Sequence, residues 1–219
     1  NLIVMLKIAE IEGWNEIKDA IEKFLSGHLD EAIEILSAIG EDKDYYDLAI
    51  PLEILLLVKA FYDKMDTKLI NKAVELVKKL SGELADKARE HIAWAVIDVS
   101  AKLAKSFRFK EALKIIEEFQ FLAITEDLRH AFLGMKGKLY EKIGDYEEAL
   151  KYYEEALNMG GSDWLISRTQ INLCNLLVKI GRSDEAKNRF RRFLEKRERF
   201  LRERGIDISS SPEIAKLYN

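Results

Sequence analysis

Leu133–Leu157 reads LGMKGKLYEKIGDYEEALKYYEEAL, and this stretch decides the fold. Two helical patterns flank a tight polar turn at Gly144-Asp145. The small residues Gly137, Ala149 and Ala156 stand where two antiparallel helices must come close, and Tyr140, Tyr146 and Tyr153 fall at apolar spacings around them. A small residue lets the helices of a hairpin approach. A bulky residue one turn later fills the space behind it. One hairpin cannot cover its own apolar face, so neighbours must stack on it.

The same design recurs along the chain. Ala112, Ala149 and Ala186, in KEALKIIEEF, EEALKYYEEA and DEAKNRFRRF, are spaced 37 residues apart. Ala73 in NKAVELVKKL lies 39 residues before Ala112, and Ala32 in DEAIEILSAI lies 41 before that. Four residues after each alanine comes a bulky residue: Leu36, Val77, Ile116, Tyr153 and Phe190. One such match is common by chance; five in series predict an all-α, right-handed helical-hairpin solenoid of about five helix pairs with extra terminal helices.

Composition agrees. With 2 prolines and 11 glycines in 219 residues, a β fold of many turns is disfavoured, while Ala, Leu, Ile, Glu and Lys suit helices. No apolar run reaches the length of a membrane span; the most apolar, Ile54–Val58, is bounded by Glu53 and Lys59. Cys174 is the only cysteine, which excludes an internal disulfide and a cysteine-built zinc site. The opening NLIVMLKIAEIEG lacks a basic leader and a small-residue cleavage site, so it reads as a helix and the expected location is cytoplasmic. Scarce threonine and glutamine beside abundant Lys and Glu fit a thermophile source. The net charge of −4 hides a basic end: Arg182–Arg204 carries ten basic and five acidic residues.

The expected organisation is an N-terminal helix over 1–13 packed on the array, repeats over 14–204, and a capping helix or tail over 205–219. Gly40 is expected to cap the helix that follows His28, Pro51 to open the next, and Thr125 to cap the helix entering the Leu133 stretch. Ser211-Pro212-Glu213 predicts a last short helix, Pro212–Tyr218, that caps the stack or docks into a neighbouring molecule.

These residues resemble the tetratricopeptide repeat family. Leu133 stands at the family's first aromatic position; Gly137 and Tyr140 match the glycine and tyrosine of the first helix; Ala149, Tyr153 and Ala156 match the second. Lys136 replaces a leucine and Gly161 stands where a proline is usual. In the flanking units Ser100 and Cys174 take the glycine's place, and Leu103 and Leu177 the tyrosine's. The resemblance covers residues 14–204 and is clear from about residue 90. It implies a non-catalytic protein–protein interaction scaffold whose first helices line a concave groove.

On the first helix of the last pair, Arg168, Asn172, Asn175 and Lys179 form one polar stripe at i, i+4, i+7 and i+11, partly opposite Ile171, Cys174 and Val178. Lys138 and Lys142 hold similar places one repeat earlier, and Lys105 one before that. Asn amides can hold a peptide backbone, and Lys and Arg pair with carboxylates, so the expected partner is an acidic peptide or helix. The second reading is a regulatory or nucleic-acid-associated subunit using the basic C-terminal helix, whose bland alternative is a solvated face. Self-association through the C-terminal helix is a further expectation. His28, His91 and His130 lie in separate repeats and no HExxH or phosphate-cradling glycine loop occurs, so no catalytic residue, metal or cofactor is assigned. Cys174 is expected to be a buried, inert thiol.

Overall fold

The computed structural model describes residues 2–81 and 85–204. Among the described residues eleven α-helices follow one another: α1 (Leu2–Glu12), α2 (Asn15–Leu25), α3 (Leu29–Ser37), α4 (Tyr46–Lys64), α5 (Thr67–Lys79), α6 (Ala85–Lys105), α7 (Phe109–Glu118), α8 (Glu126–Ile143), α9 (Tyr146–Met159), α10 (Asp163–Lys179) and α11 (Ser183–Glu203). A 3-10 turn, Gln120–Leu122, separates α7 from α8. Helices α2 to α11 pair in order into five hairpins, and α1 packs on α2. The first helices α4, α6, α8 and α10 lie side by side, so the hairpins form a helical-hairpin repeat array.

All five repeat alanines are buried: Ala32, Ala73, Ala112, Ala149 and Ala186. Leu36, Val77, Ile116 and Tyr153 are buried behind four of them, and Phe190, half-buried, stands behind the fifth. A methyl group built on Gly137 would lie 2.6 Å from Tyr153 Cδ1, so this crossing admits only glycine. Its counterparts in neighbouring hairpins use their side chains differently. Ser100 Oγ donates to the carbonyl of Ala112 at 3.1 Å, and Cys174 Sγ lies 3.6 Å from the carbonyl of Ala186. Small polar groups therefore fit this position when they bond the opposite backbone.

The hairpin turns also repeat. Gly27, Met65, Phe107, Gly144 and Gly181 have positive φ, and each ends the connection just before the second helix is entered. In four turns the next N–H reaches back to the first helix in the same way: His28 to Lys23, Arg108 to Leu103, Asp145 to Tyr140 and Arg182 to Leu177. That is the bond of a Schellman stop. The second hairpin differs: Met65 N–H bonds Phe61 O, as in the simpler left-handed cap, and Asp66 then caps α5 by accepting from Lys68 N–H. Ala73 falls seven residues after that cap, where the other repeat alanines fall four after theirs. The second hairpin thus holds its alanine in a different register from the other four.

Two local expectations are corrected. Gly40 does not end α3; the helix stops at Ser37, and Ala38 keeps a helical φ and ψ while Ile39 turns into the core. Pro51 lies inside α4, which already starts at Tyr46. Its absent N–H costs only the bond to Asp47 O in the first turn, so the helix tolerates it. Thr125 does cap α8, accepting from Leu128 N–H at 3.2 Å. The Pro212–Tyr218 helix lies outside the described residues.

The apolar run in α4 is buried on several sides, with Ile54, Leu56, Leu57, Val58, Ala60 and Phe61 inward. Glu53 is buried with them but satisfied: Ser37 Oγ donates to Oε1 at 2.6 Å and Lys72 Nζ lies 2.8 Å from the same oxygen. This triad joins the first hairpin to the second.

Candidate functional site

The first helices α6, α8 and α10 lie side by side, and the junction of α8 with α10 is locked by buried hydrogen bonds. His130 is fully buried. Its Nδ1 lies 2.5 Å from Gly160 O and its Nε2 2.8 Å from Thr169 Oγ1. Because Gly160 O can only accept, Nδ1 carries a proton and donates to it. Asp127 Oδ1 accepts from Ser162 N–H at 2.7 Å. The chain reaches α10 through Gly160 and Gly161, at φ +81° and +113°. Proline cannot adopt the φ of Gly161, which explains why the family's usual proline is missing there. His130 is thus a fastening between hairpins; His91 and His28 are exposed, His91 bonding Lys87 O.

Above this lock lies a small cleft of about 50 Å3 between the three helices. Trp94 of α6 and Trp164 of α10 form one wall, their ring centroids 6.3 Å apart and tilted by 36°. Lys138, Arg168 and Asn172 are the polar residues that line the cleft besides His130 and Thr169. Trp164 is 53% exposed, so half of a large aromatic surface is presented to solvent beside cationic groups.

The charges are concentrated. Burial, then the proximity of Arg168, Lys142 and Lys105, holds the Lys138 ammonium below the ordinary lysine range, with Glu141 opposing weakly. Four of the residues expected from sequence therefore share one electrostatic field: Lys105, Lys138, Lys142 and Arg168. Asn172 joins them at the cleft. Lys179 does not; it lies 3.8 Å from Glu141 and 4.8 Å from the ring centroid of Tyr146, at the turn end of the fourth hairpin. Asn175 is exposed farther along α10. The inward side of α10 is Leu173, Cys174, Leu176 and Leu177, whereas Val178 is 54% exposed, so the expected apolar stripe through Val178 is corrected.

The tyrosines of the Leu133 stretch are packing residues. Tyr153 is fully buried and donates to Glu141 at 3.0 Å; burial first, then that carboxylate, pushes its phenol far above the usual range. Tyr140 stacks on Tyr152 at 5.3 Å, and Lys136, which replaces the family's leucine, lies over the Tyr152 ring and bonds Gln120 Oε1. Burial also pushes the Cys174 thiol up, against the Gln170 amide and Arg189.

Trp94 and Trp164 were not singled out by the spacing of polar residues, because an aromatic at helical spacing reads first as core. A signal existed: Trp94 precedes Arg168 by 74 residues, two repeat periods, so both occupy the same place on their first helices. Among the described residues no group of three or more His, Cys, Asp or Glu is placed to hold a metal ion, and no helix is long and apolar enough to cross a membrane.

Residues 129–199, which fall within the last two hairpins, match the family model described as Tetratricopeptide repeat. Among solved structures, BtubC from P. vanneervenii matches with a TM-score of 0.51 at 18% identity, covering 91% of this chain and 79% of that one. MamA (41-end) from Desulfovibrio magneticus RS-1 matches with a TM-score of 0.45 at 17% identity, covering 82% of this chain and 92% of that one. The likeness to BtubC is one of fold. No curated protein sequence matches the chain.

Proposed function

We propose that this chain, a tetratricopeptide-repeat protein over residues 129–199, holds an acidic peptide segment on its concave face and makes or breaks no covalent bond. The family is a protein-interaction scaffold. The observation that carries the finer reading is that Lys138 and Arg168 share one cleft with the Trp94–Trp164 ledge, while Lys105 and Lys142 add to the positive field at Lys138. Keeping four cations together, one of them half-buried, opposes folding unless an anion relieves it. Carboxylates of the peptide pair with Arg168 and the lysines, Asn172 holds its backbone, and an apolar side chain lies on the tryptophans.

A fluorescent acidic peptide carrying one leucine or phenylalanine tests this by anisotropy. Binding is expected to weaken at least tenfold in Lys138→Ala/Arg168→Ala, and with serine replacing the apolar residue. Equal affinity for both peptides, or for a basic peptide of the same length, would sink the reading. The second reading, a regulatory or nucleic-acid-associated subunit, rests on the basic helix α11, where Arg189 is committed to Glu154 and Glu185 and Arg197 to Ser167.

A further inference from the structure

A cavity of about 1030 Å3 lies where α9, α10 and α11 meet, away from the Trp94–Trp164 cleft. Ile166 and Gln170 line it, whereas Arg168 and Asn172 line the cleft; two residues along a helix are about 200° apart, so the two sites use opposite sides of α10. The cavity has a smaller counterpart of about 370 Å3 one repeat earlier. There Gln120, Arg129, Leu133 and Met159 stand 37 residues before Leu157, Ile166, Gln170 and Lys196 of the larger one. The wedge is thus a product of the repeat, and its last copy differs in two ways. Helix α11 runs for 21 residues where α9 has 14, so its end overhangs its neighbours. Phe193 stands one period after Ala156, which is fully buried; a ring cannot make the approach that a methyl group makes, and Phe193 lines the cavity half-buried instead.

We propose that this groove seats an amphipathic helix of another protein, acidic along one flank, independently of what the cleft binds. The α11 side of the groove runs from Glu185 to Phe200, a rise of about 22 Å, which is the length of a four-turn helix. Leu157, Ile166, Phe193 and Phe200 form its apolar floor. Phe193 and Phe200 are about 10 Å apart along α11, a spacing that leucines at i and i+7 meet on an occupant lying beside it. Arg192 and Lys196 stand one turn apart on the rim, both exposed, and among the described residues neither lies within ion-pair distance of a carboxylate. Two carboxylates one turn apart on the occupant pair with them. The same charges oppose a second copy laid symmetrically on the groove, since a two-fold axis there brings two basic rims together. A nucleic-acid strand would leave the aliphatic floor unfilled and set phosphates beside Asp163, which also lines the groove.

A fluorescent helical peptide of about 16 residues, with leucines at i, i+4 and i+7 and glutamates one turn apart on one flank, tests this by anisotropy with the full chain. Saturable binding is expected, weakened at least tenfold by Arg192→Glu/Lys196→Glu, whose exposed sites leave the fold intact by circular dichroism, and several-fold by Phe193→Ala. Lys138→Ala/Arg168→Ala, which alters the cleft on the other side of α10, is expected to keep the affinity for this peptide. No saturable binding, full affinity in both α11 variants, or equal affinity for a peptide with lysines in place of the glutamates would overturn the proposal. An equal loss in Lys138→Ala/Arg168→Ala would overturn it by placing the peptide in the cleft. Complete displacement by an unlabelled single-stranded RNA would overturn it in favour of nucleic acid. A dimer of the chain alone in sedimentation velocity, dissociated by Phe193→Ala, would overturn it in favour of a second copy.

Discussion

Gly137 shows how much one residue decides. Alanine there gains helix propensity of at most about 1 kcal/mol. Its methyl group meets the ring of Tyr153, which is fully buried and held at Glu141. Overpacking of this kind costs about 1–3 kcal/mol, so Gly137→Ala is expected to lower stability, measured by urea denaturation. A gain in midpoint would show that the crossing has slack. Phe107 is the reverse case. It is 83% exposed and holds φ +60° in a turn that uses glycine at Gly27, Gly144 and Gly181. Phe107→Gly is expected to stabilise by about 1 kcal/mol, since a left-handed non-glycine residue costs that much.

Lys138 ties residue chemistry to binding. Its folded-state pKa is lowered, so its charge costs stability at neutral pH, and that cost disappears as pH rises toward 10.5. Lys138→Met is therefore expected to raise the thermal midpoint at pH 7 while weakening peptide binding. A bound carboxylate restores the ammonium, so binding takes up protons at alkaline pH and affinity falls as pH rises through the depressed value. Calorimetry in buffers of different ionisation enthalpy measures the uptake; none at any alkaline pH below the ordinary lysine value would show that Lys138 does not meet the ligand.

At the scale of elements, the junction of α8 and α10 orients the cleft. Gly161 at φ +113° lies against Asp127 and His130, whose bonds to Ser162, Gly160 and Thr169 set the approach of the two helices. Restoring the family's proline, Gly161→Pro, is expected to destabilise by about 3 kcal/mol, because φ must change sign and the lock must open. Affinity for the acidic peptide should fall in the same variant, since Trp164 and Arg168 move with α10. Full stability by thermal denaturation would mean that the junction is not held by this turn.

How much was legible follows from the same elements. The repeat alanines identify the hairpins because only a small residue fits each crossing, and all five are buried. The turns are legible where they carry glycine, and hidden at Met65 and Phe107, where the surrounding helices impose a left-handed residue against its preference. Pro51 misleads because a proline in an early turn of α4 forfeits a single bond, which buried neighbours outweigh. The cationic cluster was visible in the spacing along the first helices. The tryptophan ledge was not, since Trp94 and Trp164 come from hairpins separated by a whole repeat and meet only in the stack.

At the scale of the whole molecule, each hairpin buries its face only on its neighbours, so the surface along the first helices is a product of stacking and no single repeat contains it. The cleft draws on α6, α8 and α10, and its charges on three successive repeats. Trp14 is the only tryptophan outside the cleft, so in Trp14→Phe the emission reports on Trp94 and Trp164 alone. Titration of that protein with the acidic, apolar-anchored peptide is the most direct measurement. The expected result is a saturable change in emission that weakens with salt and is abolished by Lys138→Glu/Arg168→Glu. An unchanged emission on adding peptide, or the same response in the charge-reversed protein, would contradict peptide binding on the concave face.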